Sequence, residues 1–289
     1  MPTGPNFLCV GMPKAGTQWL FDQLQSHPDF WMPPIKEIYY LDKRIPRLKG
    51  AKRLLRKIED SPERMERRSA NRRPWDTRDS AFLKTAARIS GEEMSLDLYD
   101  ELFQCRGSSL SGDITPNYCR LPDEAVERIA RRFPEIRIVL LVRDPVSRVW
   151  SHLCMWHRQE KFDEALLRDA DTFREFLENN EHLLSISFAS QTAARWAKLA
   201  PEIAFRYFFL DDIAARPEQT RRDIITFLGG DAAKPPRFAP NFNRKSETAK
   251  LTLTDDIKAV LVHRFAQELR DCAVAFGGHA AGWPARYGV

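Results

Sequence analysis

Four apolar residues, Phe7-Leu8-Cys9-Val10, run directly into Gly11-Met12-Pro13-Lys14-Ala15-Gly16-Thr17-Gln18-Trp19, and the helical spacing Leu20-Phe21-Leu24 follows at once. A short apolar run closed by turn residues reads as a buried strand, after which the period changes to that of a helix. A strand entering a helix through a glycine-bounded turn constrains the fold strongly, because it starts a strand–helix–strand unit and so calls for a parallel sheet with a crossover. The same turn is a phosphate cradle: its backbone N–H groups and the helix N-terminus point at one anion.

The spacing G-x-x-x-x-G-T approaches that of a nucleotide triphosphatase P-loop, where lysine follows the second glycine and the next hydroxyl binds magnesium. Here Lys14 precedes Gly16 and Thr17 follows it. The cation is moved to another point on the ligand, and the usual magnesium site is lost. A second segment has the same form. Arg137-Ile138-Val139-Leu140-Leu141-Val142 reads as a buried strand and leads into Arg143-Asp144-Pro145-Val146-Ser147-Arg148-Val149-Trp150-Ser151. Further strand patterns occur around Ser109–Gly112 and at Ile203–Phe209. Helical patterns fall at Thr17–Ser26, Asp123–Arg132, Val146–His157, Thr172–Glu178, Ser187–Ala200, Glu218–Leu228 and Asp255–Phe276. Apolar runs alternating with amphipathic helices predict an α/β fold, a single domain over residues 1–289 with a central parallel sheet flanked by helices, P-loop NTPase-like. Ligands in such folds bind outside the carboxyl ends of the strands, where both arginine- and glycine-bearing loops begin.

The chain of 289 residues is long enough to bury a full core, and its 43% hydrophobic and 29% charged residues are those of a globular protein. No apolar run is long enough to span a membrane. Met1-Pro2-Thr3-Gly4-Pro5 shows no secretory signal, so a cytoplasmic setting is expected. The five cysteines are scattered with no C-x-x-C pair, which argues against a zinc site and a disulfide framework. A net charge of +5 suits an anionic cosubstrate without indicating nucleic acid. Lys43–Arg73 is dense in lysine and arginine. It reads either as a solvated insertion, part of a variable stretch at about 43–101, or as a patch for an anionic acceptor. Aromatic residues are missing from its middle, so base stacking is not supported.

The pair P-K-A-G-T (Pro13 to Thr17) and R-D-P-x-x-R-x-x-S (Arg143 to Ser151), in this order and each at a strand end, resembles the sulfotransferases that use 3′-phosphoadenosine 5′-phosphosulfate (PAPS). The stretch Pro34-Ile35-Lys36-Glu37-Ile38-Tyr39-Tyr40-Leu41-Asp42 resembles the K-E-x-x-[FY]-[FY] segment of the heparan-sulfate type, and Gly112-Asp113-Ile114-Thr115-Pro116-Asn117-Tyr118 its G-[DE]-x-[ST]-P-x-Y segment. The resemblance runs from about Asn6 to the C-terminal helix, with no family signal from Lys43 to Glu101.

It implies that the first loop, Lys14, Ala15, Gly16, Thr17 and Gln18, holds the 5′-phosphosulfate, with Lys14 beside the bridging oxygen. Many relatives have threonine where Gln18 stands. Trp19 takes the place of a tryptophan that stacks on adenine in cytosolic relatives, and a core residue of the first helix is an equal reading. Arg143 and Ser151 match the 3′-phosphate ligands, and an arginine fork fits phosphate in two-point fashion. Arg148 is expected to pair with a nearby carboxylate, and Arg244 and Lys245 to lie in a loop that closes over the nucleotide. Glu37 is the expected general base with Lys36 assisting, since His152 falls inside the 3′-phosphate helix and no histidine sits in a matching place. Tyr39 and Tyr118 are expected on the acceptor side, and Asp113 either orients the acceptor or caps a turn. No metal is required, because Lys14, Arg143 and helix N-termini supply positive charge.

The activity implied is transfer of a sulfonate from PAPS to a hydroxyl of a carbohydrate or other small-molecule natural product, giving adenosine 3′,5′-bisphosphate. Two other classes stay open at this point, a P-loop kinase or NTPase and a non-catalytic nucleotide- or glycan-binding protein on the same fold. The missing G-K-[ST] opposes the first, and the presence of Glu37 beside the phosphate ligands opposes the second.

Overall fold

The computed structural model describes residues 4–48, 50–60, 73–242 and 251–289. Its sheet has four strands: β1 (Phe7–Gly11), β2 (Gly112–Ile114), β3 (Arg137–Val142) and β4 (Ala204–Phe209). Their order is β2-β1-β3-β4 and every pair is parallel. The two central strands are the ones whose sequences are apolar without alternation. Phe7, Leu8, Cys9 and Val10 are all 0% exposed, as are Ile138 to Val142, because helices cover both faces. β4, at the edge, alternates exposed and half-buried positions until Phe208 and Phe209 turn inward.

The order 2-1-3-4 has a functional consequence. The chain leaves β1 for one edge of the sheet and returns on its other side as β3, so the connections after β1 and β3 diverge. A crevice opens between them at the carboxyl ends of the strands, and a register shift between Cys9 and Gly11 bends β1 beside it. Into this crevice runs the first helix, α1 (Thr17–Gln25), which Gly16 opens in the left-handed region at φ 101°.

Caps fix the other helices that matter here. The helix Pro145–Arg158 starts with proline at its first position, and the Asp144 side chain accepts from the Ser147 N–H at 3.0 Å. The long helix Asp255–Phe276 is capped by Thr254, carries two acidic residues in its first turn and buries Leu261, Phe265, Leu269 and Cys272 on one face. Between Lys43 and Glu101 the described residues include the helices Ala51–Asp60, Thr77–Ile89 and Leu96–Glu101. In the first, Lys52, Arg53, Arg56 and Lys57 are exposed while Leu54, Leu55 and Ile58 pack on the core. Its basic residues therefore form a solvated helix face. Arg73 is different: it donates to Asp79 and to the Met32 carbonyl at 3.0 Å and lies 5.4 Å over the Trp31 ring. No helix among the described residues is long and apolar enough to cross a membrane.

Candidate active site at the carboxyl ends of the strands

A cavity of about 800 Å³ opens where the strands end, and the connection after each strand contributes to its wall. Lys14 and Gly16 to Trp19 come after β1, Pro116 and Asn117 after β2, Arg143 after β3, and Leu210, Ile213 and Ala214 after β4. Lys36, Glu37 and Tyr39 close another side, and Ser151, His152 and Met155 of the Pro145–Arg158 helix a further one.

The first loop is held from behind. The Met12 N–H donates to the Leu141 carbonyl of β3 at 2.7 Å, and the Ala15 N–H to the Met12 carbonyl at 3.1 Å. Lys14 stands in the left-handed region at φ 68°. Its Nζ lies 3.5 Å from the Met155 sulfur across the cavity. A non-glycine residue in that region costs on the order of 1 kcal/mol and tends to persist at functional positions. Gly16 is the glycine that this turn requires. A Cβ there would sit 3.0 Å from Ile213 Cδ1, in a conformation that side chains resist. Gly16→Ala is therefore expected to cost roughly 1–3 kcal/mol and to disturb the first-turn amides, which have no partner within the helix. Denaturant unfolding and nucleotide titration would check both effects.

Arg143 joins the two loops. Its Nη1 donates to the Lys14 carbonyl at 3.0 Å. Burial pulls its pKa below the ordinary arginine value, so a bound anion would restore what desolvation removes. Ser151 lies two helical turns further on and also lines the cavity. Trp19 is 7% exposed, and its indole N–H donates to the Pro240 carbonyl at 2.7 Å while the ring borders the cavity. Trp19 thus packs into the core, the second of the two readings, and its ring also borders the cavity. Gln18 is exposed at the rim and donates to Asp22 at 3.0 Å. Ala15 is fully buried beneath the turn.

The segment 36–41 is the most elaborately supported part of the site. Glu37 and Tyr39 are both left-handed, at φ 60° and 52°. Glu37 accepts from Lys36 Nζ at 3.0 Å on one oxygen and from the Tyr39 hydroxyl at 2.8 Å on the other. The backbone is tied down behind them. The Tyr40 and Leu41 N–H groups donate to the Tyr118 hydroxyl at 3.0 and 3.3 Å, the Tyr39 N–H to Thr115 Oγ1 at 3.4 Å, and the Ile38 N–H to Asp113 Oδ1 at 3.5 Å. Asp113 is the hub of this network. It also receives Thr115 and Tyr118 at 2.7 Å each and Tyr99 at 3.0 Å. Burial pushes the Asp113 carboxyl up to about 6 despite these donors.

The structure thus places Asp113 and Tyr118, each 1% exposed, behind the Glu37 segment and outside the cavity wall, where they hold the backbone. Arg148 also differs from expectation. Its guanidinium is 1% exposed and donates to the Leu183 carbonyl at 2.7 Å and towards His152 Nδ1 at 3.3 Å, with no carboxylate among these partners. Arg244 and Lys245 lie outside the described residues. Sequence reading did not pick out Asn117, Trp150, Met155, Arg158 or His182 as cavity residues. The helical repeat offered a signal for some of them, since Ser151, Met155 and Arg158 are one turn apart on the same face.

A model of the sulfotransferase family matches residues 5–233. No curated protein sequence matches this chain at a significant level. Among solved structures, a sulfotransferase from Alicyclobacillus acidocaldarius superposes with a TM-score of 0.62 at 21% identity, covering 96% of this chain and 98% of that one. The sulfotransferase domain from the curacin biosynthetic pathway superposes with a TM-score of 0.51 at 15% identity, covering 92% and 99%. At these identities the two structures share the fold. With the family model spanning the loops after β1 and β3, the Glu37 segment and all four strands, the chain belongs to the sulfotransferase family.

Proposed function

We propose that this sulfotransferase uses PAPS as donor and a hydroxyl of a carbohydrate or other natural product as acceptor, with Glu37 as general base. The observation that carries the reading is the gathering of Lys14, Arg143, Ser151 and Glu37 around one cavity at the β1/β3 crevice. The donor set fits a nucleotide with phosphate at two positions. Gly16 to Gln18 offer first-turn amides for the 5′-phosphosulfate, while Arg143 and Ser151 offer an arginine fork and a hydroxyl for the 3′-phosphate.

In the transfer, the acceptor hydroxyl oxygen bonds to sulfur as the bond from sulfur to the bridging phosphate oxygen breaks. That bond's electron pair stays on the phosphate, beside the Lys14 ammonium, and the hydroxyl proton passes to a Glu37 oxygen. Lys36 and the Tyr39 hydroxyl hold the carboxylate in place. Tyr39 itself stays neutral, since burial and the Glu37 charge both push its pKa up. All five cysteines are unpaired, which fits the cytoplasmic setting we assign.

Calorimetric titration with adenosine 3′,5′-bisphosphate, run against AMP and ATP without magnesium, tests the donor assignment. Preference for the bisphosphate over AMP is expected, and Arg143→Ala should weaken the bisphosphate by about 10- to 100-fold, the worth of a charged hydrogen-bond pair, and weaken AMP by less. Equal affinity for all three ligands would refute PAPS as donor.

A further inference from the structure

We propose that His152 is a further catalytic residue of this site, a neutral imidazole whose Nε2–H donates a hydrogen bond to an oxygen of the sulfonate during transfer. The proposal rests on the sulfonate-transfer reading above. His152 lines the cavity, and its Nδ1 lies 3.3 Å from Arg148 Nη1. A guanidinium has donors only, so Nδ1 accepts, and in a neutral ring the proton then sits on Nε2. Arg148 cannot easily turn away, because it is buried and its Nη2 is committed to the Leu183 carbonyl at 2.7 Å. The ring is also fixed from the side by Trp156, one helical turn on, edge-on at 4.7 Å between centroids.

Position relates His152 to the sulfonate. Met155, one turn along the same helix, touches Lys14 Nζ at 3.5 Å, so this face of the helix borders the cation assigned to the bridging oxygen. Protonation of the ring is opposed by burial and by Arg148, Lys14 and His182, which bring its pKa down to about 3. The ring therefore has no accessible lone pair with which to take a proton. It offers instead a fixed, uncharged donor, the kind of group that stabilises charge spread over transferring oxygens without reorganising. The two roles are thus divided: His152 donates, and proton removal falls to Glu37.

Histidine-selective ¹⁵N spectroscopy on the whole chain, assigned with His152→Gln, reads the tautomer directly. The expected result is a protonated Nε2 and a bare Nδ1 that persist from about pH 5 to 9. A bare Nε2, or titration near the ordinary histidine value, overturns the proposal. The second measurement is the slow transfer of sulfonate from PAPS to water. His152→Phe, which keeps the contact with Trp156, should fall by about 10²-fold, and His152→Gln, which restores a donor at similar reach, should recover most of the loss. Adenosine 3′,5′-bisphosphate should bind both variants like the parent. Parental rates in His152→Phe, or equal losses in the two variants, overturn the donor role. A parent that does not bind the bisphosphate overturns the sulfonate-transfer reading as well, whereas normal binding with the wrong tautomer removes His152 alone.

Discussion

Glu37→Gln is expected to bind adenosine 3′,5′-bisphosphate with parental affinity and to form product about 10²- to 10⁴-fold more slowly. The substitution keeps the shape of the side chain and an oxygen for Lys36 or Tyr39, which now hold the carboxylate at 3.0 and 2.8 Å. It removes the charge that pairs with Lys36 and, with it, the ability to take a proton. The left-handed backbone at Glu37 depends on hydrogen bonds from its neighbours to Asp113, Thr115 and Tyr118, and none of these involves the Glu37 carboxyl. Binding and turnover should therefore separate cleanly. Parental turnover in this variant would discard Glu37 as base.

Asp113→Ala is expected to lose roughly 2–5 kcal/mol of stability, measured by denaturant unfolding, and most of its turnover as well. The loss in stability arises because Tyr99 and Tyr118 would keep buried hydroxyls with no acceptor, each costing about 1–3 kcal/mol. Turnover falls because the Ile38–Leu41 amides lose the hub that orders them. Asp113→Asn retains acceptor capacity and should cost less. The two variants also test a pH effect. Burial holds the Asp113 carboxyl at about 6, above the unfolded value, so the folded protein keeps a proton there that the unfolded chain releases. This group's contribution to stability is complete below about pH 4 and is lost as the pH rises through about 6. In Asp113→Asn that decline should vanish. A parent whose stability rises steadily across this window, with no difference from the variant, would contradict the assignment.

What could be read from residues alone follows from the range of the interactions involved. β1, β3 and the helices Asp123–Arg132 and Asp255–Phe276 begin and end where periodicity, glycine and caps place them, because these are local signals. β2 was expected at Ser109–Gly112 and lies at Gly112–Ile114, because a three-residue strand is positioned by its pairing with Phe7, Leu8 and Cys9 rather than by its own pattern. The helix Thr77–Ile89 is not among the expected helices, although Asp76 and Asp79 form a capping box and Phe82, Leu83, Ala86 and Ile89 form its buried stripe. Its many charges masked a signal that was present. In the site, the two cavity-lining loops after β1 and β3 are legible because each is a contiguous motif at a strand end. The inward turn of Asp113 and Tyr118 was not, because their partners at Ile38 to Leu41 lie more than seventy residues away in sequence. The same holds for Arg148, whose carbonyl partner Leu183 belongs to a different helix.

The bond from Arg143 to the Lys14 carbonyl makes the two loops proposed to hold the donor one mechanical unit. A guanidinium drawn toward an anion at one end of the cavity pulls on the backbone that aims the lysine at the other. Contacts at the two ends of a doubly charged ligand should then be worth more together than their separate sums, and a cycle pairing Arg143→Ala with Lys14→Ala should close with an excess coupling of about 0.5–3 kcal/mol. With the proposed donor, the site would measure the length of that ligand: a nucleotide charged at only one end would leave the far loop unset, whatever its local fit.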